Sequence, residues 1–173
     1  MNNSKKYELE ISGALVSVLI GAMFLFCPFL GFNKCKVLLA ISFGLLTIVN
    51  LIVFLVTGRD KDNEGLYTFG ANLILLILTI ILKLTELNLS MMLLLYTMFL
   101  SLIRLKKADF YHDRRNRIWQ INVITLGALI LTGILTSINM YYQSEIQIIM
   151  YGYFFLINGI LELVDPLVLF LKD

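Results

Sequence analysis

The sequence predicts an all-α membrane protein of six transmembrane helices, set out as three parallel repeats of a two-helix hairpin. Three observations carry that expectation. Only 15% of the 173 residues are charged against 59% hydrophobic, with mean hydropathy +0.86, whereas a soluble domain carries roughly a quarter charged residues. Six apolar runs have about the length of a bilayer crossing, and a Gly-Ala pair recurs at an interval of 57 residues. A water-soluble fold would have too few polar side chains to coat such runs.

The first run, Ile11–Leu30, has 20 residues; a helix rising about 1.5 Å per residue needs about 20 to cross about 30 Å of hydrocarbon. It follows Lys5 and Lys6, yet it is too long for a secretory h-region and offers no A-x-A-like cleavage site, so it reads as a retained span. Leu25-Phe26-Cys27 lacks the small residues that lipoprotein processing needs. The second run is Val37–Thr57. The third and fourth, Leu66–Leu82 and Leu87–Ile103, have 17 residues each, and Lys83 and Arg104 at their ends can snorkel to the headgroups. The fifth is Ile118–Ile138. The sixth, Ile146–Leu161, continues past Glu162 to about Leu171. Backbone amides facing lipid must pair internally, so each run is expected to be helical. The joints then fall at Gly31–Lys36, Gly58–Gly65, Lys83–Glu86, Arg104–Arg117 and Asn139–Glu145.

Basic residues divide by side. Lys5, Lys6, Arg59, Lys61, Arg104, Lys106, Lys107, Arg114, Arg115, Arg117 and Lys172 fall at the termini and the even joints, against Lys34, Lys36 and Lys83 opposite. The positive-inside rule then places both termini in the cytoplasm, as an even number of spans requires. The net charge of +2 gives no global field that would attract nucleic acid. Cys27 and Cys35, eight apart, fit no zinc or redox pattern and are expected to be unpaired.

Residues 1–173 thus form a single membrane domain, with repeat 1 at about 11–57, repeat 2 at about 66–105 and repeat 3 at about 118–171. Gly13-Ala14, Gly70-Ala71 and Gly127-Ala128 open the odd spans; in the even spans Gly44 with Asn50 matches Gly152 with Asn158, where the middle copy has Met98 and Arg104. A two-span unit always re-enters from the same side, so the copies are expected to be parallel. Small residues let helices approach in lipid, which marks Gly13, Gly21, Gly44, Gly70, Gly127, Gly133, Gly152 and Gly159 as candidate packing positions.

In its texture the chain resembles the HdeD-like acid-resistance membrane proteins, a bacterial family with six spans in repeated hairpins. The likeness lies in SGALVSVLIGAMFLFCP, where glycines precede an outer proline, followed by ISFGLLTIVNLI, and in LGALILTGIL followed by YGYFFLINGILEL. It covers about Ile11 to Leu163; the outer proline occurs once, as Pro28. The resemblance implies a plasma-membrane protein linked to acid or general stress, with no catalytic residues to carry over.

Glu162 interrupts the last apolar run, where a carboxylate must be paired or wetted. Arg104, at the same membrane side, is its candidate partner, and the two form a candidate intramembrane polar pair. An interfacial structural role and proton sensing both remain open for Glu162. Asp165, followed by Pro166, is expected to mark the helix leaving the membrane core. Asn50, Asn72, Asn122 and Asn158 are expected to hydrogen-bond between helices, or to line a polar pocket. The RLKKADFYHDRRNRIW segment concentrates basic and aromatic residues, which suits anionic lipid headgroups at about 1 kcal/mol per cation. His112, the sole histidine, reads as surface.

No G-x-S-x-G, H-E-x-x-H, P-loop or dinucleotide fingerprint occurs, and one histidine cannot supply a metal cluster. Neither enzyme activity nor a cofactor is therefore expected. The partners expected are the bilayer, anionic headgroups at the 104–117 loop, and a second copy or another membrane protein. Two functions compete: a stress-linked membrane protein, and a small-solute transport protein such as the substrate-binding membrane subunit of an importer. A leucine-filled bundle favours the first, a polar-lined pocket the second.

Overall fold

The computed structural model describes residues 3–29, 32–57, 63–82, 85–138 and 143–170. Expectations resting on Arg59, Lys61, Lys83 and Lys172, or on the side chains of Lys5, Lys6, Pro28, Lys34, Cys35 and Lys36, lie outside these described residues. Six helices follow in order: α1 Asn3–Leu25, α2 Phe32–Thr57, α3 Glu64–Ile81, α4 Glu86–Asp113, α5 Ile118–Ser137 and α6 Ser144–Phe170, with a 3-10 turn at Cys27–Phe29 between α1 and α2. No strand occurs among the described residues. Each helix contains a stretch long and apolar enough to cross a membrane.

The helix ends follow local chemistry. α1 stops at Leu25, short of the expected Leu30, because Pro28 has no N–H to continue the ladder; the Phe29 amide donates instead to the Phe26 carbonyl, 3.2 Å away. Thr85 caps α4 by accepting from the Asn88 amide at 3.3 Å, an ordinary N-cap bond.

One expectation is corrected. The sequence places the fourth joint at Arg104–Arg117, but α4 continues to Asp113, so Arg104, Lys106 and Lys107 are helical. No Gly or Pro interrupts this stretch, and Leu, Lys, Ala and Arg are good helix formers. α4 ends where Arg115 adopts φ 54°, with the Arg115 amide donating to the His112 carbonyl and the Asn116 amide to that of Tyr111, a Schellman cap. α6 runs past Pro166 to Phe170, and Asp165 is only 5% exposed, turned into the bundle.

α1 packs chiefly on α6, α2 on α3 and α4 on α5, and lighter contacts between α1 and α2, α3 and α4, and α5 and α6 close the ring. In α2, α4 and α6 burial recurs at an offset of 54 residues: Leu39, Leu93 and Gln147 are fully enclosed, and so, nearly, are Leu46, Leu100 and Phe154. The outside is apolar, with Leu55, Ile81 and Ile124 each 71–72% exposed. Inside lie hydroxyls and amides. Ser42, Thr47, Thr79 and Thr97 each donate to a carbonyl one turn back, which lets polar groups sit in a core without partners on other helices.

Close helix approach is confined to some of the glycines. A Cβ on Gly21 would lie 2.5 Å from the Leu156 amide nitrogen; one on Gly152 would meet the Gly21 carbonyl at 3.0 Å, and one on Gly159 the Val18 side chain at 2.7 Å. Gly133 abuts Thr97, and Gly65, unremarked in the sequence, abuts Phe54. Gly13 meets Val49 at ordinary distance, and nothing lies within 4 Å of a Cβ on Gly44, Gly70 or Gly127. Among the described residues, none approaches those three closely.

Candidate functional site: a charged cavity

Burial in this bundle selects faces, and one buried stripe is charged. On α4, Arg104 and Lys107 are three residues apart; on α6, Asn158, Glu162 and Asp165 follow at spacings of four and three. These spacings put each set on a single helix face. Both faces turn inward onto a cavity of about 100 Å³, large enough for several waters. α1 adds Glu10 and Ser17, α2 adds Asn50, and α3 adds Glu64 and Thr68. The cavity therefore occupies the half of the bundle where α1 and α3 begin and α2, α4 and α6 end.

Two networks organise the walls. The Arg104 guanidinium donates to Asn158 Oδ1 at 3.1 Å, the Asn158 amide donates to Glu162 Oε1 at 2.9 Å, and Ser17 Oγ donates to Glu162 Oε2 at 3.4 Å. Lys107 Nζ lies 2.9 Å from both Glu64 Oε1 and Asp165 Oδ2. Asp165 Oδ1 is buried and accepts no hydrogen bond. The Arg104 and Glu162 pair suggested by the sequence thus shares one cavity, joined through Asn158.

The remaining amides also take partners on their own helices, although Asn50 lines the cavity and Asn72 reaches Tyr96 on α4. Asn50, Asn72 and Asn122 donate to Leu46, Thr68 and Ile118, each four residues back on its own helix. A local carbonyl is always within reach of an asparagine one turn on, so helix-to-helix bonding has a ready competitor. Of the four, Asn158 donates and accepts across the network. Replacing Asn158 with leucine is expected to strand the Arg104 donor and a Glu162 acceptor, at about 1–3 kcal/mol. The check is a lowered unfolding midpoint of the purified protein in detergent.

Towards the other end the cavity is shut by rings. Tyr96, which lines it, lies 5.6 Å from Phe43 and 5.8 Å from Phe155, and Phe155 stacks on Phe24 at 5.9 Å. The Tyr151 hydroxyl donates to the Leu89 carbonyl at 2.8 Å and Gln147 to that of Thr136 at 3.0 Å, tying α6 to α4 and α5. Beyond the rings, Cys27 is buried and disulfide-bonded, which corrects the expectation of an unpaired thiol.

At the α4–α5 joint, Arg114 lies over the Phe110 ring at 3.9 Å and His112 meets Trp119 edge-on at 5.2 Å. His112 is exposed, as expected of a surface residue. Among the described residues no three His, Cys, Asp or Glu side chains group to hold a metal ion. Glu10, Ser17, Glu64 and Lys107 were not anticipated as site residues. For Lys107 the signal was present, since it follows Arg104 by one helical turn; Glu10 and Glu64 sit at apolar-run boundaries, where charges are ordinary. Compared with protein-family models, curated proteins and solved structures, the chain matches none.

Proposed function

We propose that the chain is a non-enzymatic multi-pass protein of the cytoplasmic membrane, which admits a small polar solute to the charged cavity from the cytoplasmic side. The observation that carries this reading is the cavity. Plain helix packing asks for leucine at such depth, and desolvated charges are costly there unless they do something. A concave site with convergent polar groups is the ordinary form of a small-molecule site. This favours the transport reading over the leucine-filled bundle.

Insertion in lipid is supported by the exterior, where many large aliphatic side chains are exposed, more than a water-soluble protein leaves in contact with water. Orientation is supported by the basic segments, which fall at the cavity end. It is supported again by Cys27 at the opposite end, because disulfides persist in oxidising compartments. Three parallel hairpin repeats are supported by the ring of contacts and by Asn50, Arg104 and Asn158, which are spaced by 54: Asn50 and Arg104 line the cavity, and Asn158 accepts from Arg104. The acid-stress role implied by the HdeD-like resemblance is kept as a second reading, because two carboxylates, Glu162 and Asp165, line the cavity. Loss of low-pH survival in a strain carrying only Glu162→Gln would favour that reading.

A labelling experiment tests the access route. With Cys27 and Cys35 replaced by alanine, Asn50→Cys is expected to react with a membrane-impermeant maleimide in inside-out vesicles and to stay unlabelled in intact cells. Labelling from the outside alone would reverse the orientation. Labelling from neither side would remove the open cavity and the transport reading with it.

A further inference from the structure

We propose that the cavity selects a small cation rich in hydrogen-bond donors, a primary ammonium group being the simplest, and holds it at Asp165 and Glu162. The inference rests on the reading of the cavity as a solute site and names the class of solute.

The first argument is an unmet acceptor. Asp165 is 5% exposed, lines the cavity, and keeps Oδ1 without a donor while Oδ2 takes Lys107. A buried carboxylate oxygen in that state calls for a donor from whatever fills the space beside it. The second argument is that the resident cations are engaged. Lys107 is held 2.9 Å from each of two carboxylates, and Arg104 is turned to Asn158, whose amide passes its polarity on to Glu162.

Charge points the same way. The lining places Glu162 and Asp165 beside Arg104 and Lys107, and Lys107 is shared between Asp165 and Glu64, so a single ammonium serves two carboxylates. Water would satisfy Asp165 Oδ1 as a donor alone; an ammonium group brings the donor together with a charge that answers a carboxylate. A bare metal ion fits less well, since the described residues present no group of three ligands.

The test uses the purified full-length protein in detergent, with ethylammonium chloride, sodium acetate, ethanol and sodium chloride as probes in calorimetric titration and thermal unfolding. Ethylammonium is expected to bind saturably and raise the unfolding midpoint, with acetate and ethanol silent. Asp165→Asn is expected to weaken ethylammonium binding roughly thirtyfold, the loss typical when one member of a desolvated charge pair is removed. If that variant does not fold, the probe selectivity of the native protein and Glu162→Gln decide the matter. Binding of acetate or ethanol in place of ethylammonium would overturn the cation while leaving a solute cavity. Silence of every probe would overturn both.

Discussion

Replacing Gly21 with valine is expected to separate α1 from α6 and to leave little folded protein in detergent extracts. The contacts that a Cβ would meet are the Leu156 nitrogen at 2.5 Å, the Gly152 oxygen at 2.8 Å and the Leu156 Cα at 2.8 Å, all of them backbone. Backbone cannot rotate away as a side-chain tip can, so the helices themselves must part. They part at the most extensive helix pairing in the bundle, where Gly152 and Gly159 on the facing helix make further close approaches to α1. Gly21→Ala alone is expected to cost about 1–3 kcal/mol as overpacking. Gly44→Ala and Gly70→Ala, with open space at the same position, are expected to be neutral or to gain up to about 1 kcal/mol from helix propensity. Unfolding midpoints of the four variants by circular dichroism measure this; a Gly21→Ala protein as stable as the native one would refute the close approach.

The six helices were legible because lipid imposes a length and a polarity that show in a single sequence. Their ends were less so. The run of charges after Ile103 reads as a joint on hydropathy, yet Arg104 to Asp113 contains no breaker and simply continues α4. The site was legible in its deepest members, Arg104 and Glu162, because a charge inside or at the edge of an apolar run stands out. Glu10, Glu64 and Lys107 did not stand out, since a charge beside a run is what any span carries, and only tertiary packing turns it inward. The glycines show the same limit. Gly13, Gly70 and Gly127 share a sequence position, but whether a neighbouring helix comes close depends on crossing points that spacing along one helix does not encode.

Lys107→Met is expected to be the most damaging change within the cavity, and its rescue separates stability from binding. The ammonium sits 14% exposed between Glu64 and Asp165, whose side chains are 28% and 7% exposed. Without it, two carboxylates face each other with no cation between them, and breaking a buried ion pair in this way costs about 3–5 kcal/mol. The partial exposure of Glu64 lets water screen its share, which sets the expectation at the lower end of that range. Replacing a buried pair by apolar residues is often close to neutral, so adding Asp165→Leu to Lys107→Met is expected to restore most of the unfolding midpoint. A double variant less stable than the single would show that Asp165 holds the fold through something other than Lys107. The restored double variant has also lost the oxygen proposed to receive a cation. It is therefore expected to be folded and monodisperse yet blind to ethylammonium, a combination that a purely structural charge cluster would not produce.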